Sequence, residues 1–410
     1  MQPKLREIRT QPAVEQGQQG IVLTDPLSVS QTRLFVPNSI TLLLSLIDGT
    51  RDIGTLRTGY ELRTGRTVGN AIVEQLLSQL DEALFLENDR FQLAYNEALN
   101  SYRSSPTRTP ILAGSCYPED PVELKNFIKK YIDEVEGNPL QEADQVIGVI
   151  SPHIDYQRSG HVYAQVWSKM MGVLSQAELV VILGTDHNDG KGMVTFTRQN
   201  YETPLGTIPT AKNIVEELAS EIGDDCFTLE LNHRGEHSIE AALVWMHYIL
   251  GDKICPIVPI LCGSFQGPIE KGESPLTLKH IVSTVSTLSS LYQRHRTIVI
   301  AAADLAHMGP AFGDPIPLDI VGRARMAKYD EELIQVLCQG NADNFYSLVQ
   351  KEKDRRHVCG VPPIYITLAS IASAQGISAG YAQCPASVDG TSLVSICGIV
   401  YLDKKHQHDC

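Results

Sequence analysis

The 410-residue sequence contains no run of about 18 to 20 apolar residues, the length a helical membrane span requires. The opening MQPKLREIRTQPAVEQGQQG also lacks the apolar core of a secretory signal, so a soluble, cytoplasmic protein is expected. Positive charge is in short supply: 34 Lys and Arg stand against 48 Asp and Glu, a formal net charge of −14. That balance opposes sequence-independent attraction to phosphate backbones and anionic bilayers, and neither nucleic acid nor membrane is expected as a partner. Internal repeats and low-complexity tracts are missing too.

No CxxC pair occurs among the nine cysteines, Cys116, Cys226, Cys255, Cys262, Cys338, Cys359, Cys384, Cys397 and Cys410. An odd, scattered set in a long chain is expected to remain as thiols in a reducing compartment. Most lie in apolar runs such as ICPIVPILCG and SLVSICGIVYL, where cysteine serves as a small buried hydrophobe.

What is present is a folding composition, 43% hydrophobic and 20% charged, at a length suited to two or three domains. In residues 1–105, SITLLLSLIDGT and VGNAIVEQLLSQLDEALFLE carry apolar residues at helical spacing, and ALFLENDRFQL reads as strand, turn and strand. Helices followed by a hairpin predict a winged-helix-like module, similar to the small peptide-recognition domains that accompany radical-SAM modification enzymes. Ten basic and twelve acidic residues before position 104 argue against DNA reading. The polar stretch Ser101 to Pro110 reads as a linker.

Residues 106–410 alternate β-branched runs with helical patterns: VIGVIS, GHVYAQVWSKMM, LVVILG, AKNIVEELASEI, HSIEAALVWMHYIL, ICPIVPILCG, LKHIVSTVSTLSSLY and TIVIAAA. This order predicts an α/β domain with a largely parallel sheet covered on both faces.

Three of its strands end alike. VIGVIS leads into His153 and Asp155, LVVILG into Asp186, His187 and Asp189, and TIVIAAA into Asp304 and His307. A single histidine after a strand is ordinarily a loop or core residue. Three strands delivering His and Asp to the rim where α/β sheets bind ligands form an active-site pattern. Imidazole and carboxylate suit iron, zinc or copper, and equally acid–base chemistry near neutral pH. Arg234 to Glu240 opens a further helix; Ser238 and Glu240 suit its start, which leaves Glu236 and His237 without a role. In His357 to Pro363, glycine and prolines hold Cys359 in a turn, where a nearby cation would make it a thiolate able to ligate.

The motifs AGSCYP, PHIDYQRSG, LGTDHN, TPLG, EHSIE, IVPILCG, ADLAH and VCG, in that order from Ala113 to Gly360, resemble the Memo family, known in prokaryotes as AmmeMemoRadiSam system protein B. The resemblance spans about Ile111 to Leu402 and implies a fold like that of class III extradiol dioxygenases. It also implies a mononuclear copper or iron site of His153, His187 and Cys359, with His237, Asp304 and His307 lining the same cavity as acid–base or supporting groups. Asp155 replaces a glycine common in relatives and is expected to tune or orient His153. Cys116 replaces a common aromatic residue and is expected at the rim.

Two readings of function follow. One is a copper- or iron-dependent redox protein acting with a radical-SAM system; two histidines and a thiolate differ from the dioxygenase donor set, so ring cleavage does not transfer. The other is a non-catalytic, metal-handling or peptide-binding partner of the radical-SAM enzyme and its small companion protein, with a peptide or small molecule as ligand. A hydrolase using Cys116 or Cys359 with His237 or His307 is a weaker third, because no nucleophile elbow is present.

Overall fold

A computed structural model describes residues 2–135, 140, 145–188, 190–371 and 374–404. Asp189 and Cys410 lie outside the described residues. The chain divides into two compact units, Met1–Ser104 and Ser105–Cys410.

The first unit begins with an antiparallel sheet of Arg9–Glu15, Gln18–Thr24 and Leu34–Pro37. Gln16 and Gly17, at φ 49° and 80°, make the two-residue turn that matches strand twist. Helices Thr41–Leu46, Ile53–Thr64, Asn70–Glu82 and Asp89–Ser104 follow. Asp52 caps the second through the Thr55 N–H, and left-handed Gly65 ends it. Leu23, Val36, Leu46, Leu56, Val73, Leu80 and Phe85 close the core. The expected hairpin at ALFLENDRFQL is corrected: Leu86 bridges to Leu5, and a 16-residue helix begins at Asp89. Its apolar residues Phe91, Leu93 and Tyr95 mimic strand alternation, but Asn88 accepts from the Phe91 N–H and starts a helix. The expected linker is shortened as well, since Ser101–Ser104 belong to that helix and Thr107–Arg108 form a strand.

The second unit is a mixed α/β fold. Four neighbouring parallel strands, Val146–Ser151, Thr297–Ala302, Leu179–Thr185 and Ile257–Cys262, form the centre of an eight-stranded sheet. Antiparallel strands extend it at both sides: Val194–Phe196 beside Ile257–Cys262, and Leu393–Asp403 beside Val146–Ser151, with Ala374–Pro385 and His307–Met308 paired to Leu393–Asp403. The sheet is therefore parallel only at its centre. Successive residues of Leu179–Thr185 feed opposite cores: Leu179, Val181 and Leu183 one, Val180 and Ile182 the other. That double burial explains a continuous apolar run in place of alternation with polar residues. Helices Tyr156–Met170 and Ser238–Leu250 serve one face; Lys212–Ile222, Lys279–Arg294 and Val361–Ser370 serve the other.

Candidate metal centre

Strand register brings the chemistry together. Ala302 pairs with both Ser151 and Gly184, so three adjacent parallel strands end level with one another. His153, Asp304 and His187 leave those ends, and with His237, His307 and Cys359 they line one cleft of about 620 Å³.

His153 is fully buried, and its Nδ1 lies 2.9 Å from the Ala302 carbonyl. A carbonyl only accepts, so Nδ1 carries the proton and Nε2 turns into the cleft. There Nε2 is 3.4 Å from Cys359 Sγ and 3.4 Å from Asp304 Oδ2. The other Asp304 oxygen accepts from the His153 backbone N–H at 2.9 Å, while Oδ2 has no hydrogen-bond partner despite complete burial. Burial resists a charged His153, but Asp304 and Cys359 outweigh it and push its pKa up to about 9.

His187 is oriented by Glu236. Its Nδ1 lies 3.0 Å from both carboxylate oxygens and its backbone N–H donates to Oε2 at 3.0 Å. Oε1 also accepts the backbone N–H groups of His237 and Ser238, at 2.8 and 2.9 Å, and lies 3.1 Å from His237 Nδ1. One buried carboxylate thus caps the helix Ser238–Leu250 and faces two imidazoles. These stack with centroids 4.7 Å apart. Burial opposes ionisation of Glu236, yet His187 and His237 hold it well below the usual carboxylate range. The expected cap is corrected accordingly: Ser238 Oγ donates to the Thr185 carbonyl, and Glu240 binds Arg108, Tyr117 and the N–H groups of Ile111 and Leu112.

Each of His153, His187 and His237 offers one nitrogen within 4.8 Å of those of the other two. Cys359 reaches them from a turn in which His357 sits at φ 50° and Asp354 accepts from the Val358 N–H at 2.8 Å. The Gly360 N–H donates to the Asp304 carbonyl at 3.2 Å, fastening this turn to the third strand end. Burial favours the neutral thiol, but His153, His307 and hydrogen bonds from His153 and His187 hold Cys359 well below the usual thiol range. That environment favours the thiolate, the form that binds metal. His307 lines the same cleft, its ring edge-to-face with Phe312 at 5.0 Å between centroids and its Nδ1 3.1 Å from the Leu305 carbonyl.

Two expected roles do not hold. Asp155 caps helix Tyr156–Met170 through the Arg158 N–H and pairs with the Arg158 guanidinium, while Ala302 and Asp304 take the orienting role at His153. Cys116 packs against the core containing Tyr117 and does not line the cleft. Sequence reasoning leaves Glu236 without a role and does not single out Arg158, Phe312 and His357, which line the cleft. The Glu-His pair of EHSIE is the available signal for Glu236. Asp186 is turned to Asn188 and Asn232, and burial pushes its pKa up to about 6.

The Memo-like protein family model matches residues 108–400. A MEMO1 family protein of Aquifex aeolicus is 29% identical over 361 residues, 88% of this chain and 88% of its own length. That is more residues than the Ser105–Cys410 unit contains, so this likeness runs into the Met1–Ser104 unit. MEMO1 family proteins of Methanopyrus kandleri and Methanosarcina barkeri are 29% and 27% identical over 67% and 64% of the chain, covering 89% and 86% of their own lengths.

Proposed function

This chain belongs to the Memo family, and from that premise we propose that His153, His187 and Cys359 hold a copper or iron ion in a redox protein. The observation that carries the reading is the Cys359 thiolate 3.4 Å from an imidazole nitrogen whose ring is locked with Nε2 inward. Thiolate retains soft ions and imidazole suits both metals. The buried Asp304 Oδ2, without a hydrogen-bond partner, fits a site that gains a cation. Such an ion supplies one-electron exchange. His237, Asp304 and His307 act as acid–base groups around it: they face the cleft, and the fixed ring of His307 can take or release a proton at Nε2.

The fold is read as extradiol-dioxygenase-like, with ring cleavage not implied. The partner is a radical-SAM enzyme with its companion protein, and the location the cytoplasm, in keeping with the eight described cysteines all being free thiols. A second reading, a metal-handling or peptide-binding component of that system, is favoured by the additional compact unit Met1–Ser104.

The test is metal content of folded protein loaded with copper(I) or iron(II) under anaerobic conditions. Cys359→Ser and His153→Ala should lose metal. His161→Ala should not, because His161 faces Glu134 outside the cleft. Unchanged stoichiometry in Cys359→Ser would remove Cys359 from the site.

A further inference from the structure

Aromatic residues make up only 6% of this chain, and it has two tryptophans. Both tryptophans are fully buried in the core beneath Tyr156–Met170 and Ser238–Leu250, together with Tyr117, Tyr156 and Tyr163. Four of these rings form a connected chain, two stacked pairs joined edge to face. Tyr163 lies parallel to Trp245 at 5.5 Å, Tyr163 meets Tyr156 edge-on at 4.9 Å, and Tyr156 stacks on Tyr117 at 5.5 Å.

The two ends of this chain of rings differ chemically. At the inner end the Tyr163 hydroxyl donates to the Ile154 carbonyl at 3.2 Å, and Ile154 follows His153 and lines the cleft. Tyr156 likewise donates to a carbonyl, that of Ala241, at 2.5 Å. At the other end the buried Tyr117 hydroxyl donates to Glu240 Oε1 at 2.5 Å. A carbonyl is a poor base, whereas a carboxylate can take the proton that a phenol must lose on oxidation. An electron vacancy moving through these rings would therefore settle on Tyr117. Packing alone does not call for such rings. Phenylalanine fills a core without needing a partner for a buried hydroxyl or N–H. Trp245 Nε1 is in fact buried without one.

We propose that Tyr163, Trp245, Tyr156 and Tyr117 form a relay that carries one-electron oxidising equivalents out of the cleft, with Tyr117 as its end point and Glu240 as proton acceptor. The relay rests on the redox-metal reading above. The oxidant is hydrogen peroxide. Its O–O bond breaks as it takes two electrons and two solvent protons to become two waters. One electron comes from the reduced metal ion and one from Tyr117, whose phenolic proton passes to Glu240.

The experiment uses the full chain loaded with copper(I) without oxygen, its metal content measured, then mixed with one equivalent of hydrogen peroxide and frozen for electron paramagnetic resonance. A tyrosyl signal is expected that narrows when the protein carries ring-deuterated tyrosine, a check that needs no substitution. The signal should be lost in Tyr117→Phe and in Tyr163→Phe, and persist in Tyr346→Phe, which alters a phenol on the opposite face of the sheet. A loaded protein that consumes peroxide without a tyrosyl signal, or a signal that survives Tyr117→Phe, overturns the relay and leaves the metal site standing. Protein that takes up no metal overturns both.

Discussion

The Glu236 carboxylate accepts both the backbone N–H and the ring Nδ1–H of His187, each at 3.0 Å. This pair fixes the tautomer, so His187 has only Nε2 left to present to the cleft. Carboxylates behind metal-binding imidazoles are worth roughly 10- to 100-fold in affinity. Glu236→Gln should weaken copper or iron binding by about that factor, read by metal competition, with Glu236→Asp recovering part of it. Equal affinity in all three proteins would remove Glu236 from the site.

The turn that presents Cys359 depends on close approach at Gly360. A Cβ there would stand 2.4 Å from the Asp304 carbonyl and 2.8 Å from the Ala303 Cβ, nearer than atoms tolerate. Gly360→Ala should cost about 1–3 kcal/mol in urea unfolding through overpacking, and should also lower metal occupancy by moving the thiolate. Occupancy equal to wild type would show that the turn does not set the position of Cys359.

Arg108 and Glu240 form an ion pair in which both side chains are fully buried. The same guanidinium donates to the carbonyls of His233 and Glu236, at 3.0 and 2.6 Å, and so holds the segment that carries Glu236. Arg108→Ala leaves an unpaired buried carboxylate and should destabilise by about 3–5 kcal/mol, measured by urea unfolding. A loss below about 1 kcal/mol, the scale of a surface pair, would contradict this account.

His233 predicts a pH dependence. Its ring is buried, with Nε2 2.9 Å from the Thr195 carbonyl and Nδ1 2.7 Å from the Tyr201 hydroxyl, an arrangement that fits the neutral tautomer. Burial pushes its pKa down to about 3. The unfolded chain, near 6.5, therefore takes up a proton first as pH falls. The stability that neutral His233 contributes is complete above about pH 6.5 and is lost as pH falls towards 3, at up to about 1.4 kcal/mol per unit. Burial of His247, pushed down to about 4, acts in the same direction. In metal-free protein, His233→Gln should flatten urea stability between pH 6.5 and 5 relative to wild type. An unaltered slope would sink this assignment.

Much of the site is legible in the amino-acid order alone. VIGVIS, LVVILG and TIVIAAA are strands because β-branched runs buried on both faces leave no other pattern, and histidines just beyond them must gather at one rim. Local order thus determined where His153, His187, Asp304 and His307 would meet. Phe91 and its neighbours mislead for a local reason as well, since a short apolar alternation fits either period and an Asn cap decides for helix. What only the tertiary structure decided is which distant groups close the constellation. Cys359 meets His153 across 206 residues, and Glu236 meets His187 across 49. Spacing in sequence carries no record of such pairings, because they are fixed by sheet register, by the Gly360 contact with Asp304, and by burial that forces each charged or polar group to find a partner.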